Sequence, residues 1–345
     1  MADPLRFGLI GCGSQGRFLT EAVTLTKQAT LVACADVDAE RAEQAASGWG
    51  YGQAFAGAAE MLDKADVDAV IVATIHDQLQ PCGLAVVESG RHLFVEKPMA
   101  LDAAGARAVV DAAAKTGAKV MVGYTLPFLP ARVRMQQLIE QGAVGDIFQV
   151  LAGQHIGPMG GWLGDPAHGG GPLLYVGVHA LTQVLHVVGQ RVVRVFAEVD
   201  RAESGVDAVC TVTLRFEGGA TAQLTTSQRM GGRYGWIDVL GSAGRVRSEW
   251  ESNAVFVQST ALDAYREPTV IDVPDGIVGP RVGLGDAVSL VGAKYIRAWA
   301  DEFAEFIAAI RDDRAPAVSG ADAVHVLEIT DAIFESGRTG RAVTL

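Results

Sequence analysis

Clustered positive charge is what this sequence lacks most: 28 Lys and Arg stand against 40 Asp and Glu, for a net charge of −12. Nucleic acid and anionic membrane surfaces are disfavoured as partners, because both are bound by clustered cations that release counterions from phosphate. Cysteine is scarce as well. Cys12, Cys34, Cys82 and Cys210 show no C-x-x-C spacing, and three of them lie within or beside apolar segments. Buried free thiols in a reducing compartment are therefore expected, rather than disulfides or metal ligands. No His, Asp and Glu cluster has ligand spacing, so no metal is expected. No apolar run reaches about 18 residues, which excludes a membrane span on this reading. Met1-Ala-Asp-Pro passes directly into an apolar run without a basic, then apolar, leader, and the expected compartment is the cytoplasm. Internal repeats and low-complexity tracts are also missing.

Glycine, by contrast, is abundant, with 41 in 345 residues, and its most telling placement is Gly11, Gly13 and Gly16 after the apolar run that ends at Ile10. This G-x-G-x-x-G reads as a nucleotide-binding turn. Gly11 permits the tight turn, Gly13 lets backbone approach a pyrophosphate, Gly16 lets the helix pack on the strand, and the helix N-terminus faces the phosphates. The next apolar strand, Leu31 to Ala35, ends in Asp36, about 20 residues beyond the last glycine, where a carboxylate accepts hydrogen bonds from an adenine ribose. NAD is expected over NADP, since a 2′-phosphate would be repelled there and no Arg stands at Val37 or Asp38. The plainer alternatives are an ordinary strand-to-helix turn and an Asp36 that only caps a turn.

The length predicts two domains, a dinucleotide-binding one over 1–123 and a substrate-binding and oligomerisation one over 124–345. In the first, strands at Phe7 to Ile10, Leu31 to Ala35, Ala69 to Ala73, His92 to Val95 and Val120 to Val122 alternate with helical stretches such as Gly16 to Thr26 and Ala103 to Thr116. That alternation predicts an α/β fold with a doubly wound parallel sheet of Rossmann type. In the second, a helix over about Ala131 to Gln141 and another over about Pro172 to Val188, after the turn Gly169 to Gly171, precede a series of strands. Val192 to Val199, Ala208 to Phe216, Ala220 to Ser227, Trp236 to Leu240 and Arg245 to Ser248 predict a large open, mainly antiparallel sheet. Tyr295 to Arg311 and Ala321 to Glu335 read as closing helices, and Asp272 to Asp286 as a glycine-rich loop or subunit contact.

Glu96-Lys97-Pro98 follows the strand at His92 to Val95, at the carboxyl edge where open α/β sheets place ligands. With Gly11 to Gly16, Ala35-Asp36-Val37-Asp38, Gly169 to His179 and the closing Glu335 to Arg341, it makes the chain resemble, nearly end to end, the Gfo/Idh/MocA oxidoreductases typified by glucose-fructose oxidoreductase and inositol 2-dehydrogenase. The resemblance implies an NAD-dependent oxidoreductase acting on a secondary alcohol or ketone of a sugar, inositol or related cyclic polyol. It also implies a homo-oligomer, a dimer or tetramer, through the C-terminal sheet. By the same resemblance Lys97 touches both the substrate hydroxyl and the nicotinamide ribose, and His179 is the acid/base residue. The residue types suit those roles. Alcohol oxidation needs the hydroxyl proton removed, which an imidazole does near neutrality, and a lysine can steady the developing alkoxide. The implied cofactor-binding set is Gly11, Cys12, Gly13, Ser14, Gln15, Gly16, Asp36, Ala73, Thr74, His76, Glu96 and Lys97; the substrate-binding set is Lys97, Tyr124, His155, Trp162, Tyr175 and His179.

Several positions depart from the family's commonest form. Tyr175 replaces an aspartate four residues before His179, and Thr182 stands where a second aspartate often follows. Tyr175 shares a helix face with His179 and is either a phenolic proton donor or a hydrophobic lid. Thr74-Ile75-His76 replaces T-P-N, Leu79 occupies a position often held by histidine, and Thr125 and Pro127 replace Asn and Arg. Substrate identity does not carry over. Two further readings stay open: a lyase or hydrolase that retains NAD and works through transient oxidation, and a redox-inactive NAD-binding regulator.

Overall fold

The structure is a computed structural model that describes residues 3–249, 252–273 and 290–345, so nearly all of the glycine-rich stretch Asp272 to Asp286 lies outside the described residues. The first sheet is built from β1 (Leu5–Ile10), β2 (Ala29–Ala35), β3 (Gln53–Phe55), β4 (Ala69–Val72), β5 (His92–Val95) and β6 (Val120–Val122). Between them run α1 (Ser14–Leu25), α2 (Ala39–Trp49), α3 (Ala58–Lys64), α4 (His76–Glu88) and α5 (Ala103–Thr116). The strands are parallel in the order β3-β2-β1-β4-β5-β6. This is the doubly wound order, with its switch point between β1 and β4. β4, Ala-Val-Ile-Val, is buried at every position, as a parallel strand covered on both faces must be. Helix boundaries follow local chemistry: Asp38 caps α2 by accepting from Arg41 N at 3.2 Å, and Gly50 closes it in the left-handed region at φ 92°.

The second sheet has nine strands: β7 (Ile147–His155), β8 (Val192–Arg201), β9 (Asp207–Phe216), β10 (Thr221–Ser227), β11 (Tyr234–Gly241), β12 (Gly244–Glu249), β13 (Ala254–Ser259), β14 (Thr269–Asp272) and β15 (Val343–Thr344), ordered β14-β13-β12-β11-β7-β10-β9-β8-β15. All its pairs are antiparallel except β7 with β10. Register separates two faces. Val257, Val246, Val239, Val150, Ala222, Leu214 and Val195 align across seven strands and are all buried. The alternate row runs Val270, Phe256, Arg247, Asp238, Leu151, Gln223, Thr213 and Phe196, with Val270, Phe256 and Phe196 exposed. The period of two thus puts one face in the core and leaves the other partly apolar and open.

Helices α6 (Pro130–Glu140), α7 (Val178–Val188), α8 (Leu290–Arg311) and α9 (Gly320–Thr339) complete the chain. Two compact units result: Met1–Thr125 with Tyr295–Leu327, and Leu126–Lys294 with Glu328–Leu345. Residues Tyr295–Leu327, expected in the second domain, group with the first unit instead. The cause is aromatic packing: Phe303 of α8 lies 4.3 Å, centroid to centroid, from Phe94 of β5 and 6.2 Å from Phe7 of β1, and Phe306 joins both. β7, which ends at His155, is a strand that the sequence analysis does not predict. Its alternating pattern is masked in sequence by Gly153, which is glycine because the Trp236 indole lies across it; an added Cβ would come within 2.4 Å of that ring. Among the described residues, 166–188 form one helical stretch long and apolar enough to cross a membrane, and it is mostly buried in the fold.

Candidate active site

At the carboxyl edge of the first sheet, the glycine turn divides into structural and permissive positions. Gly11 has φ 99°, and a Cβ there would stand 2.5 Å from the Ala73 carbonyl oxygen; at Gly16 it would stand 2.1 Å from the Gly11 carbonyl oxygen. Both are demanded by close backbone approach. Gly13 is different, for nothing lies within 4 Å of its Cβ position and the fold alone does not require it. It is the N-cap of α1, so Ser14 and Gln15 fill the first turn and their backbone N–H groups lack helical acceptors. Open space above a helix N-terminus fits a dinucleotide pyrophosphate.

Asp36, at the end of β2, is buried. Its carboxylate accepts from Cys12 N at 2.8 Å and Asp38 N at 3.0 Å, tying the turn to β2. Arg41 also donates to it, at 3.2 Å, with a half-exposed side chain. The sequence reading missed this cation. The signal was present in the α2 capping motif, because a residue three beyond the Asp38 cap turns back over the strand end.

Glu96 and Lys97 leave β5 beside the turn, and the Lys97–Pro98 peptide is cis. Glu96 is buried and accepts from Gln15 Nε2 at 2.7 Å and from Lys97 N at 3.1 Å. Burial pushes its carboxyl up, against the Lys97 ammonium and the Gln15 amide, which pull it down. The structure thus brings together Gly11, Cys12, Gln15, Asp36, Ala73, Glu96 and Lys97. Thr74 and His76 stand beside them, His76 buried in the first turn of α4. Tyr124, expected against substrate, has no exposed surface, and burial raises its phenol. Two positions beyond the sequence reading complete this cluster: the Trp299 indole donates to Thr125 Oγ1 at 2.9 Å, and that hydroxyl donates to Glu302 at 3.3 Å.

In the second unit, the helix expected over Pro172 to Val188 begins instead as a π-turn, Leu173–Gly177, followed by α7. Such π-turns are frequent at functional sites. The turn is pinned by the sheet: Asp207 of β9 accepts from Leu173 N at 2.8 Å, and Thr226 of β10 donates to the Pro172 carbonyl at 3.4 Å. Gly171, at φ 114°, makes room for Asp207, whose Oδ1 would lie 2.0 Å from an added Cβ. From Gly169 to Val184 every residue is buried except Tyr175 and His179. Four positions apart, these two reach the surface together on one side of the helix. Thr182 spends its hydroxyl on the Val178 carbonyl at 2.7 Å.

His155 does not join them. It stacks on Trp236 at 5.6 Å, which stacks on Tyr234 at 5.4 Å, on the sheet face opposite the one where Thr226 meets Pro172 and Gly177. Burial lowers the pKa of its imidazole. Trp162 lies in the short turn Gly161–Gly164. Among the described residues no group of three His, Cys, Asp or Glu side chains converges on a metal position.

Residues 5–124 match an oxidoreductase family described as an NAD-binding Rossmann fold, and residues 133–247 match the GFO/IDH/MocA C-terminal domain. The chain is 28% identical to an inositol 2-dehydrogenase of Rhizobium meliloti over 99% of each chain, and 25% identical to a myo-inositol 2-dehydrogenase of Thermotoga maritima over 99% of this chain and 98% of that one. Its fold is similar to that of a levoglucosan dehydrogenase solved with NADH and L-sorbose, with a TM-score of 0.88 at 21% identity over 99% of both chains.

Proposed function

Because the chain belongs to the GFO/IDH/MocA oxidoreductase family, with an NAD-binding Rossmann domain, we propose that it oxidises a secondary alcohol of a sugar, inositol or related cyclic polyol, or reduces the corresponding ketone. NAD, when bound, supplies the hydride acceptor. The turn from Gly11 to Gly16 holds its phosphates and Asp36 its adenine ribose. Lys97 holds the substrate hydroxyl and steadies the developing alkoxide, and His179 receives the hydroxyl proton. Tyr175 borders the same alcohol.

The observation that carries this reading is the paired exposure of Tyr175 and His179 on an otherwise buried helical segment. The other residues from Gly169 to Val184 are buried, whereas these two are partly exposed. A dinucleotide-absorbance assay over cyclic polyols, sugars and their keto derivatives tests it. Net NADH formation with at least one polyol is expected; conversion without net NADH would instead identify a lyase or hydrolase.

The exposed row of Val270, Phe256 and Phe196 supports a homo-oligomer formed through the open face of the second sheet. Sedimentation of the purified chain as a monomer at assay concentration would remove that part of the proposal.

A further inference from the structure

The proposed chemistry gives Arg41 no role, yet its guanidinium lies on the carboxylate assigned to the adenine ribose. Arg41 is the third residue of α2, and its backbone N–H is held by the Asp38 cap at 3.2 Å, so the side chain rises from a fixed point beside the end of β2. Nη1 donates to both oxygens of Asp36, at 3.2 Å to Oδ1 and 3.4 Å to Oδ2, while Nη2 donates to Asp38 Oδ2 at 3.3 Å. The Asp36 side chain is 6% exposed and that of Arg41 50%, so the cation sits on the open side of the carboxylate. A carboxylate offers about four lone-pair positions, two on each oxygen. Asp38 N takes one on Oδ1 at 3.0 Å, and Cys12 N takes one on Oδ2 at 2.8 Å. Those donors are backbone groups held by the strand end and the glycine turn. Arg41 fills the remaining position on each oxygen. A ribose hydroxyl that donates to Asp36 therefore needs a position that the guanidinium holds.

We propose that Arg41 is an internal stand-in for the adenine ribose: a 2′-hydroxyl displaces its guanidinium from Asp36, whereas a 2′-phosphate, which Asp36 repels, takes that guanidinium as its counter-ion. Displacement leaves Arg41 anchored nearby, because the half-exposed Asp38 still accepts from Nη2. The hydroxyl gains only the difference between its own bond and the ion pair it replaces. The phosphate gains a planar fork that suits its oxygens better than a point charge. Both effects narrow the preference for NAD over NADP that Asp36 alone would impose. The exchange rests on Asp36 as the ribose acceptor, as proposed above, and is independent of the polyol chemistry.

Calorimetric titration with adenine nucleotides tests the exchange without any turnover. ADP and 2′-deoxy-ADP carry equal charge, so the ratio of their affinities isolates the 2′-hydroxyl. In Arg41→Ala that ratio should widen about two- to five-fold in favour of ADP, the worth of a partly exposed ion pair that no longer has to be broken. The ratio of adenosine 2′,5′-bisphosphate to 5′-AMP should fall about ten-fold in the same variant, the scale of a lost charge-assisted hydrogen bond. Arg41→Met, which keeps the aliphatic stem and removes the charge, should move both ratios in the same directions and so separates loss of the guanidinium from disturbance of α2. An ADP ratio unchanged in both variants would overturn the displacement; if that common ratio is also near one, Asp36 does not hold the ribose. An unchanged bisphosphate ratio would overturn the counter-ion role.

Discussion

Asp207→Ala is the perturbation whose consequences the structure fixes most fully. The carboxylate is 1% exposed and accepts the Leu173 N–H at 2.8 Å in the first turn of the segment that carries Tyr175 and His179. Removing it strands a buried donor, which costs roughly 1–3 kcal/mol. Burial already holds the Asp207 carboxyl above the usual carboxylate range, so the variant also loses an unfavourable desolvation, and the lower half of that interval is expected. At about 2–4 °C per kcal/mol for a domain of this size, Tm should fall by roughly 2–8 °C. Turnover should fall further than stability does. A displacement of about 1 Å in a catalytic group costs on the order of 10² in rate, and the π-turn is held at this end by Asp207 and Thr226. Differential scanning calorimetry beside steady-state kinetics reads both effects. Gly171→Ala, whose Cβ would stand 2.0 Å from Asp207 Oδ1, should reproduce them. A lowered Tm with unchanged kcat in the folded enzyme would show that Asp207 supports the fold without placing the site.

Asp36→Ser should narrow the preference for NADH over NADPH in fluorescence titrations, and Arg41→Ala should weaken NADPH further, because Arg41 is the cation beside the ribose-binding carboxylate; equal affinities in the parent would contradict the assignment. Lys97→Ala should lower turnover by about 10² to 10⁴ at saturating cofactor, the scale for one electrostatic or acid/base group, and Arg should not rescue it, since its planar fork cannot replace a compact ammonium. His179→Ala should abolish most alcohol oxidation and remove the acid limb of the pH profile: the imidazole must be unprotonated to take the proton, so oxidation rises with pH through its titration. Tyr175→Phe should cost about 10-fold or more if the phenol donates a hydrogen bond, whereas unchanged kinetics would leave Tyr175 as a pocket wall.

The first unit was legible because its signals are local. Glycine spacing, an acid at a strand end and continuous apolar runs each depend on a few neighbouring residues, and together they specified the parallel sheet and its turn. The Glu302, Thr125 and Trp299 cluster was not legible, because it joins residues about 175 positions apart in sequence through buried contacts. Arg41 was not legible from the positions directly after Asp36, because it reaches Asp36 only through the capped first turn of α2, which returns its third residue over the strand end. β7 was hidden by Gly153, whose role exists only once Trp236 is packed on it. The grouping of α8 with the first unit depends on Phe303 and Phe306 meeting Phe7 and Phe94, which no helical period announces.

The central claim is direct transfer of hydride between the alcohol carbon and a dinucleotide that is then released. A polyol found active in the absorbance assay, deuterated at the oxidised carbon, tests it when the released dinucleotide is analysed by mass spectrometry. One deuterium per NADH formed, together with a primary isotope effect that is lost with the activity in His179→Ala, is the expected result. Product formation with no deuterium in released dinucleotide, the cofactor remaining on the protein, would contradict the account.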